Sequence, residues 1–70
     1  MNRYDWVEQD TRDRVVAARH AAGLSQEALG DALGLSKPGY GHYERGAVAF
    51  GVRHLFQLAD VLHRSVAWFL

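Results

Sequence analysis

Residues 24–46, reading LSQEALGDALGLSKPGYGHYERG, constrain this chain more than any other stretch, because they spell two short helices joined at one glycine and stopped by another. Ser25 sits where a hydroxyl can accept an orphan N–H of the first helix; Ala28, Leu29 and Leu33 then recur on one inward face. Gly34 supplies the left-handed residue that turns the chain, and Leu35 packs the corner. Ser36 stands ready to cap the second helix. Pro38 falls in its first turn, where a missing N–H costs nothing, and Gly46 closes it. Tyr40 and Tyr43 are expected to anchor this helix, leaving Lys37, Gly39, Gly41 and His42 outward.

Seventy residues allow one domain, close to the size where a single core barely suffices. An apolar share of 49% is enough to build that core. With no cysteine, neither a disulfide nor a thiolate zinc site can help, and a reducing compartment is the natural reading. No apolar run reaches the ~20 residues that span a bilayer, and the acidic, aromatic start is unlike a secretory signal. A cytoplasmic chain with no membrane partner is expected.

Formal net charge is zero, which weighs against a binder that relies on diffuse phosphate attraction. The charges are unevenly spread, however. Asp5, Glu8, Asp10 and Asp13 load the N-terminal segment, whereas Lys37, His42, Arg45, Arg53 and His54 cluster in and just after the second helix of the pair. That face is locally positive but thinly charged, so two copies would be needed for useful affinity.

Elsewhere the spacing predicts three more helical segments, and so a compact all-α chain of five short helices. Asp10 or Thr11 can cap a first helix with Val15, Ala18, Arg19 and Ala22 on one stripe, ended by Gly23. Residues 1–10 either form an arm or extend that helix, and residues 11–70 make up the domain, its two-helix pair at about 25–45. After an apolar loop at residues 46–51, Leu55, Phe56, Leu58, Ala59 and Leu62 recur with helical spacing, and Ser65 caps a final short turn.

In order and spacing, LSQEAL, LGLSK, YERG and the closing LADVL with SVAWFL resemble the phage repressor and Cro type, or XRE type, of helix-turn-helix. The likeness runs from about Val15 to Leu70. It implies a lambda-repressor-like five-helix domain whose second motif helix lies in the major groove of double-stranded DNA while the first crosses the backbone. Carried over, it implies that Lys37, Pro38 and His42 face the bases, lysine donating to guanine O6 and N7 and histidine to a guanine acceptor or a phosphate. Phosphate contacts fall to Gln26, Ser36, Gly39, Gly41, Arg45 and Arg53. The resemblance also implies a buried ion pair between Arg19 and Glu44, fixing the angle of the reading helix. The function implied is a transcriptional regulator, a repressor acting as a homodimer on a palindromic operator.

Where such families often carry a basic loop after the reading helix, Ala47, Val48, Ala49 and Phe50 stand here. Together with Trp68, Phe69 and Leu70 they exceed what a small core needs, which makes Phe50, Trp68, Phe69 and Leu70 candidates for a dimer interface. The same residues support an alternative, an antitoxin-type or other regulatory module with a protein partner; zero net charge and two glycines on the reading helix support a pure protein-interaction domain. His20, His42, His54 and His63 have no metal-ligand spacing, and Ser25, Ser36 and Ser65 read as caps rather than nucleophiles. Neither an enzyme, a metal site nor a cofactor is expected.

Overall fold

Three left-handed glycines, Gly23, Gly34 and Gly46, with φ of 71°, 74° and 83°, divide the chain at the helix ends. In the computed structural model, which describes residues 4–70, α1 spans Asp5–Ala21, α2 Gln26–Ala32, α3 Lys37–Glu44 and α4 Val52–Leu62, and a 3-10 helix, Val66–Phe69, closes the order. The described residues contain no strand. The last segment is thus a single 3-10 turn rather than a fifth α-helix.

The serines act locally. Ser25, Ser36 and Ser65 each accept a hydrogen bond from the N–H three residues on, at 3.0, 3.1 and 3.2 Å. Helix α1 starts earlier than the spacing of its caps suggests: Asp10 and Thr11 lie inside it, and Thr11 is buried. Asp5 and Glu8 in its first turn suit the positive end of the helix dipole. The first three residues of the arm-or-extension segment lie outside the described residues.

The core gathers Val15 and Ala18 of α1, Leu29 and Leu33 around α2, Tyr40 of α3, Leu55, Leu58 and Leu62 of α4, and Phe69. Ala28 is exposed, and Gly30 takes the inward place beside Leu29. A Cβ at Gly30 would stand 3.0 Å from Tyr40 Cβ and 3.3 Å from the Leu35 carbonyl, so this glycine sets how closely α2 and α3 cross. Helix α4 ends without a glycine; His63 itself takes the left-handed conformation, φ 55°, ψ 47°.

Candidate nucleic-acid interface

Everything that holds α3 converges on one carboxylate. Arg19 of α1 donates from Nε to Glu44 Oε2 at 2.7 Å and from Nη2 to Oε1 at 3.2 Å. Gln26 of α2 donates from Nε2 to Oε1 at 3.0 Å, and the Tyr40 hydroxyl donates to Oε2. Two donors per oxygen fill the carboxylate's acceptor sites, and they come from three helices. Arg19 also donates from Nη1 to the Leu24 carbonyl at 2.9 Å, tying the turn before α2 to the same cluster.

The electrostatics follow from that geometry. Burial, the largest single influence on Glu44, pushes its carboxyl up, but the hydrogen bonds from Arg19, Tyr40 and Gln26 and the guanidinium charge together outweigh it and leave the group below the usual carboxylate range. Arg19 is held above its ordinary value, first by the hydrogen bond to Glu44. Burial first, and then the Glu44 carboxylate, push the Tyr40 phenol up, so it remains a donor.

Behind α3 lies a cluster of rings. Tyr43 meets Phe50 at 5.1 Å between centroids and His54 edge-on at 5.0 Å, and Tyr40 meets Phe50 at 6.3 Å. Phe50 therefore folds back to brace the reading helix. Phe69 is fully buried, a core residue rather than an interface one, because the closing 3-10 helix turns it inward against α1 and α4. Trp68 is half-buried with the Arg64 guanidinium 4.3 Å over its ring, and of the four apolar candidates only Leu70 is truly exposed.

The outward side of α3 carries Lys37, Pro38, His42 and then Arg45, all exposed. Lys37 has no hydrogen bond or ion pair among the described residues. Arg45 Nη2 lies 2.9 Å from His42 Nδ1; a guanidinium only donates, so Nδ1 accepts and the ring proton of a neutral His42 sits on Nε2. The same arginine covers Gly41, where a Cβ would come within 2.8 Å of Nη1. Gly41 is consequently buried and cannot meet a phosphate while Arg45 lies there. Gly39 is half-buried beside the capping Ser36, whose hydroxyl proton stays free to donate.

Gln26, half-buried, faces Glu44 with its amide nitrogen, a positioning contact that nothing in the sequence announces. Arg53 stands on the exposed side of α4. Arg12 has no signal in the sequence either: its guanidinium packs on Gly46, where a Cβ would fall 2.6 Å from Nη1, bringing a cation to the negative end of α3. Among the described residues no group of three His, Asp or Glu side chains could hold a metal ion, and no helix is long and apolar enough to cross a membrane.

Comparison with known proteins adds a family. The Helix-turn-helix family profile matches residues 16–69. The chain is 33% identical over 58 residues to an SPbeta prophage-derived uncharacterized HTH-type transcriptional regulator, YonR, of Bacillus subtilis (strain 168). The match takes in 83% of this chain and 54% of the relative, so the chain spans about half the length of that protein. No solved structure matches.

Proposed function

Because the chain belongs to the Helix-turn-helix family, we propose that it binds double-stranded DNA sequence-specifically and regulates transcription, as a repressor and as a dimer on a palindromic operator. One observation carries this reading: α3 is clamped from behind through Glu44, Tyr40 and Tyr43 while Lys37, Pro38, His42 and Arg45 are exposed on its other side. A helix so held enters the major groove with Lys37 and the Nε2–H of His42 directed at guanine acceptors. Arg45, the Ser36 hydroxyl and the N–H of Gln26 at the start of α2 meet phosphates on either side. Two copies on half-sites about one helical turn apart, ~34–36 Å, make up for the thin charge of one. Action is by occupancy: a bound dimer excludes polymerase.

The test is selection of bound duplexes from a random pool, where the reading expects a palindrome. Lys37→Ala should relax one base position at a loss of about 1–3 kcal/mol, whereas Gln26→Ala, which keeps the backbone N–H but removes the side-chain bond that sets α2 against α3, should weaken all sequences about equally. Equal losses on cognate and scrambled DNA for Lys37→Ala overturn the base-reading role. A pure protein-interaction domain, favoured by the exposed Trp6, Val48, Val52 and Phe56, would enrich no sequence and show no steep loss of DNA affinity with salt.

A further inference from the structure

Helix α4 turns Leu55, Leu58 and Leu62 into the core, which brings Val52, Arg53, Phe56 and Asp60 to the surface on the opposite stripe. Val52 is 70% and Phe56 59% exposed. Arg53 and Asp60 have no hydrogen bond or ion-pair partner among the described residues. We propose that this stripe is where a second copy docks, α4 against α4, antiparallel about a twofold axis beside Phe56, with Arg53 of each copy facing Asp60 of the other.

Helix geometry selects this arrangement. At 3.6 residues per turn, Arg53 and Asp60 lie within about 20° of each other around the axis and about 10 Å apart along it, so both stand on the same flank of Phe56. A twofold perpendicular to two antiparallel helices lays each flank on the same flank of the partner and reverses its direction. The midpoint between positions 53 and 60 falls next to Phe56. With the axis there, both oppositely charged pairs form at once and Phe56 meets its own copy, the self-complementarity an isologous contact requires. A parallel pairing about a twofold along the helices would carry this flank to the partner's opposite side, so neither oppositely charged pair would form. A phosphate backbone would be attracted to Arg53 and repelled by Asp60 two turns along the same flank, so this flank suits a second copy better than the phosphate contact expected of Arg53.

Two 11-residue helices bury less than the ~1,200 Å² of stable complexes, so the free dimer is weak and DNA, by holding two copies, completes it. The proposal deepens the dimeric reading above and is tested without DNA. Sedimentation of the full chain up to millimolar concentration should give a monomer–dimer equilibrium. Arg53→Glu and Asp60→Arg should each raise its Kd about tenfold or more, and the double variant should return to within about threefold of the parent. Phe56→Cys, in a chain with no native cysteine, should oxidise to a disulfide dimer, whereas Glu27→Cys, at an exposed site on α2, should not. Melting curves check that every variant is folded. A parent monomeric throughout with no disulfide from Phe56→Cys, a dimer indifferent to both charge changes, or a double variant no tighter than the singles overturns the proposal. Affinity for a duplex carrying one selected half-site is read separately: its survival in a variant that no longer dimerises leaves the DNA reading intact. Loss of half-site affinity in Arg53→Glu that persists in the double variant makes Arg53 a phosphate contact and overturns its assignment to the dimer.

Discussion

Replacing Arg19 with alanine should remove a large share of the stability of this domain. Glu44 would keep Tyr40 and Gln26 as donors but lose both guanidinium bonds, and the Leu24 carbonyl would lose its partner. The pair is well sheltered, with side chains 10% and 7% exposed, so solvent can do little to replace the missing cation. Breaking one side of such a pair costs about 3–5 kcal/mol. A chain of 70 residues has about 3.5–10 kcal/mol of total stability, so the loss is roughly 30% of it at the least. At roughly 4–8 °C per kcal/mol for a domain this small, the melting temperature followed by far-UV circular dichroism should fall by about 12 °C or more.

Acid sharpens the test. Because the folded pKa of Glu44 is depressed, its contribution is present above the unfolded carboxylate value and is lost as pH falls through the folded one, so the parent should weaken below about pH 4. Without Arg19, burial is opposed only by the Tyr40 and Gln26 hydrogen bonds, and that acid transition should move to higher pH. Arg19→Met combined with Glu44→Gln should cost less than the two single changes added, by about 1 kcal/mol or more. A melting temperature for Arg19→Ala within a degree or two of the parent's, or strict additivity in the cycle, would refute the reasoning.

Two further changes probe the scaffold. Gly30→Val should destabilise by about 1–3 kcal/mol even though valine is the better helix former, because its side chain would meet Tyr40 Cβ and the Leu35 carbonyl; a melting point at or above the parent's would mean that α2 and α3 can part without penalty. His63→Gly should raise the melting temperature by several degrees, relieving about 1 kcal/mol of left-handed strain at the end of α4, and an unchanged melt would count against that strain.

What the sequence made legible was what local chemistry alone decides. Three serine caps and three glycines mark six helix ends between them, only where a side-chain oxygen or a positive φ does the work; α1 begins at Asp5 with Tyr4 offering no side-chain cap, and nothing local announces its start. His63 hides the end of α4 for the same reason, since nothing in its type announces φ 55°. Gly30 reads as an ordinary helix-weakening residue until Tyr40 is seen against it. Arg19 and Glu44 came together through the resemblance; the shares of Gln26 and Tyr40 in the same carboxylate depend on how three helices cross, which no spacing along the chain encodes. Phe69 misled because a surplus of apolar residues at one end says how much must be buried and not which ring turns inward.

The same carboxylate explains how so poor a helix can serve as a rigid element. Helix α3 has eight residues, two of them glycines costing about 1 kcal/mol each relative to alanine, and a helix that short does not persist alone in water. Its order is therefore borrowed: Ser36 caps one end, Pro38 fixes a φ in its first turn, and Glu44 at the other end is gripped from α1, α2 and α3 itself. Since Gln26 begins α2 and Glu44 ends α3, the hydrogen bond between them sets the two helices of the motif at a fixed angle, and Arg19 ties that angle to the core through α1. The outer face is then left largely to chemistry rather than to stability, and a lysine and a histidine can occupy it although neither holds the helix in place.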